Sequence, residues 1–313
     1  MKLKTLCTAV LLATGSVGVA YATPNLIQNG DFSQTTSPKS EPTQFGGNSG
    51  SGHNGSGSCT YGGQFVQHWS GNGGYGLWYS SATAASGTTA CNQYNGNPTQ
   101  RLPDAVTAPP VGSGSFIGLD GQTGINFGVS QVIGGLTPGA NYTVSFYWAE
   151  TQEMSREGPT SEVLQVALGN EALFSAVNAC DLTAPAPTLD PDHTYRTFAQ
   201  VYDCDPAPPS FTGQYFQTDG STINTHGWKD WMYESFTFTA DSTSSVLSFL
   251  SIGTPTALPP FAVLTGVSMT KNVPEPSVLG MFGGGLLGLG MLTLIARRRA
   301  LRRGETADGD AIG

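Results

Sequence analysis

Charged residues are scarce in this chain of 313 residues. Lys, Arg, Asp and Glu make up 11% of it, against about a quarter of an average globular protein. The 13 basic side chains are outnumbered by 22 acidic ones, so the chain lacks the basic surface with which a nucleic-acid-binding protein neutralises phosphates. Runs of Ala, Glu and Lys with helical periodicity are also missing, which excludes a coiled coil or a helical array.

Recognisable catalytic motifs are missing as well. The sequence has no HExxH, GxSxG or Walker-type phosphate loop, and its four histidines show no ligand or triad spacing. Glu150, Glu153, Glu157 and Glu162 lie close together, but nothing places two of them on opposite sides of a glycosidic bond, as hydrolysis requires. A solvated acidic loop explains this cluster more simply. We therefore predict that the protein is not an enzyme.

The composition does supply a core and strands. Hydrophobic residues make up 38% of the chain and aromatic residues 10%, which is enough to exclude a disordered protein. Ala140–Glu150 alternates, with Tyr142, Val144, Phe146 and Trp148 on one face. Many other short strand signals are separated by Gly, Pro and Asn, and this pattern predicts an antiparallel β-sandwich.

The first 22 residues have the features of a secretory signal peptide. Lys2 and Lys4 precede an apolar stretch, and Ala20-Tyr21-Ala22 gives the small-x-small pattern that precedes cleavage. We expect the mature chain to begin at Thr23, with an uncleaved anchor as the alternative.

Residues 277–296 carry no charge and are rich in Leu, Met and Gly. At about 1.5 Å per residue, a helix of this length crosses a hydrocarbon layer of about 30 Å. Arg297, Arg298 and Arg299 follow at once, which predicts a transmembrane helix whose C-terminal side, with the tail 304–313, is cytoplasmic. A buried core helix is the alternative, but arginines at its end fit a globular interior poorly.

The segment directly before this helix is Val273-Pro274-Glu275-Pro276. Pro274, Glu275 and Pro276, the Gly- and Leu-rich helix and the Arg cluster together resemble the PEP-CTERM sorting signal of exported proteins from Gram-negative, exopolysaccharide-producing bacteria. The resemblance covers 273–303. It implies export across the inner membrane, anchoring by the helix, and then cleavage by an exosortase, a membrane-embedded thiol protease. Proline suits such a segment, because it keeps the backbone extended and outside the helix.

The exported part, residues 23–272, has a different charge balance from the whole chain. It holds six basic and eighteen acidic side chains, a net charge of −12. We expect it to be a single β-sandwich domain with irregular loop insertions at 37–63 and 178–227. An acidic surface offers no attraction to nucleic acid.

Four cysteines remain in the exported part, and an even number in such a chain indicates two disulfides. Three connectivities are possible, and we expect the pairs that are adjacent in sequence because each brackets one loop. Zinc binding is the alternative, without a CxxC motif to support it. The cysteines are Cys59, Cys91, Cys180 and Cys204.

Three phrases resemble the framework of galactose-binding-like jelly rolls, which occur in carbohydrate-binding modules and bacterial surface proteins. They are Asn25–Phe32, Ile133–Val144 and Val263–Met269. In that family the closing strand often carries Asp residues, some of which serve a structural Ca²⁺ site. Here Leu264-Thr265-Gly266 occupies those places and Asp31 remains at the start, so we expect no cofactor, with a structural calcium ion as the alternative.

Aromatic residues interleaved with Gly and Asn are candidates for sugar binding, because sugar rings stack on aromatic faces. One group lies within Gln67–Ser80, and a second lies beside Gly227 and includes Tyr233. Packing in the sandwich core is the alternative. The candidate ligand-binding residues are Trp69, Tyr75, Trp78, Tyr79, Trp228 and Trp231.

The sequence therefore predicts a cell-surface or exopolysaccharide-matrix protein that binds carbohydrate without catalysis. A purely structural envelope protein and a glycan-active enzyme are the alternatives.

Overall fold

The computed structural model describes residues 23–36, 43–44, 66–71, 76–88, 101–121, 127–177, 211–255, 258, 260–272, 294–295 and 297–298. Pro24–Asn272 forms one compact unit. The signal peptide, the four cysteines, Tyr75, the Pro-Glu-Pro motif and Arg299 lie outside the described residues. Among the residues that are described, no helix has both the length and the apolar character to cross a membrane.

The compact unit is built from two antiparallel sheets. In chain order its elements are β1 (Thr43–Gln44), β2 (Ser70–Gly71), β3 (Gly76–Tyr79), α1 (Ala82–Ser86), β4 (Phe116–Asp120), β5 (Gly128–Gly134), β6 (Asn141–Gln152), β7 (Thr160–Gly169), α2 (Leu173–Val177), β8 (Gly213–Gln217), β9 (Ser221–Ile223), β10 (Trp228–Thr239), β11 (Ser244–Thr254) and β12 (Pro260–Lys271). The first sheet has the order β1-β3-β4-β12-β6-β10. The second has the order β2-β5-β11-β7-β8, with β9 paired to β7.

This architecture confirms the predicted all-β antiparallel sandwich. Consecutive strands from β4 to β7, and again from β10 to β12, alternate between the two sheets, which is the kind of connection found in jelly rolls.

Strand β6 lies between β12 and the edge strand β10 in the first sheet, and its alternating sequence explains which side chains it buries. Tyr142, Val144, Phe146 and Trp148 point inward and are buried, as their period of two predicts. The intervening side chains point to the outer face and are half-buried along Thr143–Tyr147. β6 pairs with β10 on one side and with β12 on the other.

The main core fills the space between the sheets. Trp69 and Trp78 lie inside it, and each indole is held by the N-terminal segment. Trp69 Nε1 donates to the Asn29 carbonyl at 3.0 Å, and Trp78 Nε1 donates to the Phe32 carbonyl at 2.8 Å. Because a buried N–H requires an acceptor, these bonds fix the N-terminal segment against the sandwich.

A second layer covers part of the outer face of the first sheet. Leu77, Tyr79 and Phe116 pack there with Phe261 and Val263. This layer also includes α1 and residues 101–106. It does not extend over the part of β6 and β10 where Tyr147 pairs with Tyr233.

Strand β12 contains a bulge at Gly266. Thr265 pairs with Tyr147 and Ser268 pairs with Ser145, so β12 has one residue more than β6 over this stretch. Gly266 has a φ of +63°, which glycine adopts without the steric cost that a side chain brings. The bulge places Ser268 on the outer face of the sheet beside Ser145.

Candidate functional site

The first predicted aromatic group does not form a binding platform. Trp69 and Tyr79 have no exposed surface and Trp78 is 3% exposed, so the hypothesis that they stack on a sugar is wrong. The physical reason is that Trp78 and Tyr79 pack on the two faces of β3, both of which are covered, and that Trp69 lies in the main core. Trp78 faces the main core, while Tyr79 stacks on Phe116 with ring centroids 5.1 Å apart.

The second predicted group, Trp228 and Trp231, is half-buried. The two rings meet edge to face with centroids 5.7 Å apart, and Trp231 also meets Phe116 edge to face at 5.6 Å. Trp231 Nε1 donates to the Thr107 carbonyl at 3.1 Å. Most of the surface of these two rings therefore packs within the outer layer. Only the exposed part of each ring is left to contact a ligand.

An aromatic pair with one half-buried and one exposed ring lies instead on the open part of the first sheet. Tyr147 on β6 and Tyr233 on β10 are direct cross-strand partners, with ring centroids 5.2 Å apart. Tyr233 is 57% exposed. Val111 lies next to Tyr147. A Cβ placed on Gly266 would be 2.5 Å from Val111 Cγ2 and 3.2 Å from Tyr147 Cδ2. This pair combines apolar ring surface with phenol groups that donate and accept hydrogen bonds.

Two rows of hydroxyl side chains continue this surface along the strands. Each row takes one residue from β10, one from β6 and one from β12. The serine row is Ser235, Ser145 and Ser268, and the threonine row is Thr237, Thr143 and Thr270. Neighbouring strands lie about 4.8 Å apart and alternate residues along a strand about 7 Å apart, so the hydroxyl groups form a regular grid. We call Tyr147, Tyr233 and the two rows the tyrosine–hydroxyl face.

The tyrosine–hydroxyl face carries no charged side chain. Every hydroxyl on it offers one donor and two acceptor positions, so a group that already has a partner keeps capacity for another. Thr143, for example, donates to the Asn272 side chain at 2.8 Å. A surface of this composition suits ligands that are rich in hydroxyl groups and uncharged.

Sequence reasoning could place Tyr147 on the face opposite Trp148 and could mark Tyr233 as an aromatic candidate. It could not bring the two together, because β6 and β10 are separated by more than 70 residues of chain. The two hydroxyl rows were missed for the same reason.

The acidic cluster is not a solvated loop. Glu150 and Glu162 are 0% and 1% exposed, Glu153 is also buried, and only Glu157 is exposed. That interpretation fails because β6 extends to Gln152 and β7 begins at Thr160, so the chain between them is short and its ends lie in the sandwich.

Glu150 is held by a hydrogen-bonded ion pair. Its Oε1 accepts from Lys229 Nζ at 2.9 Å, and both oxygens accept from the Ser221 backbone and hydroxyl. Burial raises the pKa of Glu150, and Lys229 and Ser221 oppose this rise. The Glu150 side chain has no exposed surface, so its carboxyl group does not face solvent.

The described residues contain no cluster of His, Cys, Asp or Glu that would hold a metal ion. Asp31 accepts from the Ser33 hydroxyl at 2.8 Å and from the Ser113 backbone at 3.1 Å. Partial burial tends to raise the pKa of Asp31, but these hydrogen bonds outweigh it and hold the pKa below its usual value. Thr265, one of the residues standing where jelly rolls of the resembled kind often carry Asp, donates to the Ser115 carbonyl.

No protein-family model matches the chain, and no curated protein matches it. Solved structures do match it. One is the CBM22-1 xylan-binding domain from Paenibacillus barcinonensis Xyn10C, with 11% identity over 81% of this chain and 97% of that domain and a TM-score of 0.32. Another is TmCBM61 in complex with β-1,4-galactotriose, with 10% identity over 65% of this chain and 87% of that chain and a TM-score of 0.29.

An arabinose-bound α-L-arabinofuranosidase, MgGH51, also matches, with 10% identity, 80% of this chain and 27% of that chain covered, and a TM-score of 0.37. The matches thus include carbohydrate-binding modules, the class that the framework phrases resemble, and also an enzyme. At these identities and TM-scores the similarities establish neither a family nor a function.

Proposed function

We propose that this chain is an exported surface or exopolysaccharide-matrix protein that binds polysaccharide, without catalysis, on its tyrosine–hydroxyl face. The observation that carries the proposal is the pair of half-buried Tyr147 and exposed Tyr233 beside two rows of hydroxyl groups. Aromatic rings accept the C–H faces of a sugar, and flanking polar groups bind its hydroxyls.

The dimensions of the face favour a polymer over a single sugar. From the tyrosine pair to the threonine row it extends about 13 Å, four residues at about 3.3 Å each along a strand. A chain lying along the strands would place one sugar ring on the tyrosines and later units over the serine and threonine rows.

The charges favour an uncharged glycan. The tyrosine–hydroxyl face has no cationic side chain, and residues 23–272 carry a net charge of −12. An anionic polysaccharide would therefore meet long-range repulsion without a local cation to offset it. We expect binding that changes little with salt concentration.

The buried carboxyl groups favour binding over hydrolysis. Glycoside hydrolysis needs two carboxyl groups that both reach the scissile bond. Glu150 and Glu162 are enclosed in the sandwich, so a sugar chain cannot lie between them without opening the fold.

The route to the surface rests on the sequence of the two ends. The signal peptide, Pro274-Glu275-Pro276, the apolar helix and the arginines support export, membrane anchoring and exosortase processing. An acidic domain that carries a glycan-binding face is suited to retention in an exopolysaccharide matrix after cleavage.

A glycan array with the purified full-length protein tests the binding proposal. We expect the wild type to retain uncharged oligosaccharides and polysaccharides, and Tyr233→Ala to lose most of that signal. Val132→Ala is the matched control, because Val132 is an exposed apolar residue on the second sheet. If no glycan is retained, the binding proposal is wrong and a purely structural role is favoured. Turnover of a glycan would contradict the absence of catalysis.

A further inference from the structure

Glu162 connects the two sheets through one serine. It lies on β7 in the second sheet, and its Oε1 is 2.5 Å from the hydroxyl oxygen of Ser251 on β11. The same hydroxyl lies 2.9 Å from the carbonyl oxygen of Leu119 on β4 in the first sheet. We propose that Glu162 is a protonated, uncharged carboxylic acid in the folded protein, and that its proton completes this contact between the sheets and makes the fold sensitive to alkali.

The hydrogens available at Ser251 do not suffice for both of its contacts. The Leu119 carbonyl has no hydrogen and can only accept, and the Ser251 hydroxyl has a single hydrogen to donate. If Ser251 donates to Leu119, the short contact between Ser251 and Glu162 needs a second hydrogen. That hydrogen is available only when Glu162 carries a proton on Oε1 and donates it to Ser251.

The other carboxyl oxygen of Glu162 also favours the protonated form. Glu162 Oε2 is buried and makes no hydrogen bond within the described residues. If Ser251 instead donated to an ionised Glu162, this oxygen would share a negative charge without any hydrogen bond. A buried charge without compensation costs many kcal/mol, so such a group takes up a proton.

The packing around the carboxyl group leaves it closely enclosed. A Cβ on Gly121 would lie 2.3 Å from Oε1, and a Cβ on Gly253 would lie 2.5 Å from Oε2. The two glycines are themselves joined across the sheets by a hydrogen bond from Gly253 N to Gly121 O. The glycines thus bring backbone close to the carboxyl group on both sides and keep water away from it.

The charged groups that act on Glu162 all favour its neutral form. Burial is the main cause of its strongly raised pKa, and the carboxyl groups of Asp120 on β4 and Glu150 on β6 raise it further. The hydrogen bond to Ser251 and the Val163 backbone N–H act in the opposite direction and lower the pKa less than burial raises it. Lys229 on β10 pairs with Glu150 and not with Glu162.

The sign of the pH effect follows from proton binding. Below the ordinary pKa of 4.5, Glu162 is protonated in both the folded and the unfolded chain, so its contribution to stability is fully present. Above that pH the unfolded chain releases the proton and the folded chain keeps it. The equilibrium constant for unfolding then rises by up to about tenfold for each pH unit. This rise stops when the carboxyl group of the folded protein also ionises.

Urea unfolding of the full-length protein between pH 5 and pH 9 tests this proposal. Glu162→Gln keeps the shape and provides an amide donor for Ser251 without an ionisable group. We expect the unfolding equilibrium constant of this variant to rise less steeply with pH than that of the wild type. The difference between the two should be up to about tenfold for each pH unit. Glu157→Gln removes an exposed glutamate from the same part of the chain and should follow the wild type. Equal slopes for Glu162→Gln and the wild type would overturn the proposal.

Carbon-13 NMR of the assigned Glu162 carboxyl in the wild type gives a second test that does not depend on the folding of a variant. The carboxyl shift should keep its protonated value from pH 5 to pH 7 in the folded protein and change only on unfolding or at higher pH. A carboxylate shift throughout that range would show that Glu162 is ionised and would also overturn the proposal.

Discussion

Trp78 and Tyr233 are both aromatic residues in strands of the first sheet, yet their surroundings give them different roles. Trp78 is enclosed in the main core and bonded to the Phe32 carbonyl, whereas more than half of the Tyr233 side chain is in solvent. The sequence around Trp78 has the glycines and asparagines expected of a sugar site, and this composition misleads because it also suits tight packing between strands.

Replacement of Trp78 should reveal its structural role. Trp78→Ala removes a large core side chain and leaves the Phe32 carbonyl without its donor, so we expect a loss of about 3–5 kcal/mol in the free energy of unfolding. Tyr233→Ala, at an exposed site, should change it by no more than about 0.5 kcal/mol. Urea unfolding of the two variants measures both values. A larger loss for Tyr233→Ala than for Trp78→Ala would contradict the assignment of core and surface.

The pair of Lys229 and Glu150 should make a pH-dependent contribution. Lys229→Met removes the cation that opposes the raised pKa of Glu150, so the folded pKa of Glu150 should rise further. Because a raised carboxyl pKa costs stability as the pH increases, we expect a loss of about 1–3 kcal/mol at pH 8 and little loss at pH 4. Lys271→Met is the control, since Lys271 bonds only an exposed threonine and its replacement should matter little at either pH. A loss of the same size at pH 4 and pH 8 would rule out this coupling.

At the scale of elements, the bulge in β12 sets which side chains complete the hydroxyl rows. A side chain at Gly266 meets two obstacles: the φ of +63° and a Cβ position 2.5 Å from Val111 Cγ2. Loss of the bulge would shift the later part of β12 by one residue and turn Ser268 and Thr270 away from the outer face.

Gly266→Ala should therefore destabilise the protein by about 1–2 kcal/mol and weaken glycan binding as well. Gly134→Ala is a matched control in another strand of the sandwich, because a Cβ there has open space. Thermal unfolding and glycan affinity of both variants provide the measurement. Equal behaviour of the two variants would show that the bulge is not needed for the face.

The strands were predictable to the extent that their signals are local. The alternation from Tyr142 to Trp148 identified β6 and its buried side, because a period of two depends only on neighbouring residues. Pairing is a property of distant segments. The serine and threonine rows come from three strands that are not consecutive in the chain, so the sequence shows only isolated hydroxyl residues.

Burial of the acidic cluster was hidden from the sequence for a similar reason. Glu162 is stabilised in the interior by Ser251, some 90 residues later in the chain, and by two close glycines. Without those partners a glutamate near a strand end is expected to lie in solvent.

At the scale of the whole molecule, we predict separate tasks for the two ends and the sandwich. The PEP-CTERM resemblance predicts processing near Pro274-Glu275-Pro276, independently of what the sandwich binds. A Pro274→Ala, Glu275→Ala double change should leave unprocessed precursor in the membrane fraction, as measured by immunoblotting. Glu305→Ala, in the predicted cytoplasmic tail, should be processed normally. Unchanged processing of the double variant would refute the sorting signal.

The claim that the tyrosine–hydroxyl face binds polysaccharide is tested most directly by calorimetric titration of the full-length protein with a glycan that it retains. The Tyr147→Ala, Tyr233→Ala double variant removes both rings from the face while leaving the core unchanged. We predict that its Kd is higher than that of the wild type by about tenfold or more, equivalent to about 1.4 kcal/mol, with thermal stability similar to that of the wild type. An unchanged Kd in a folded double variant would contradict the account.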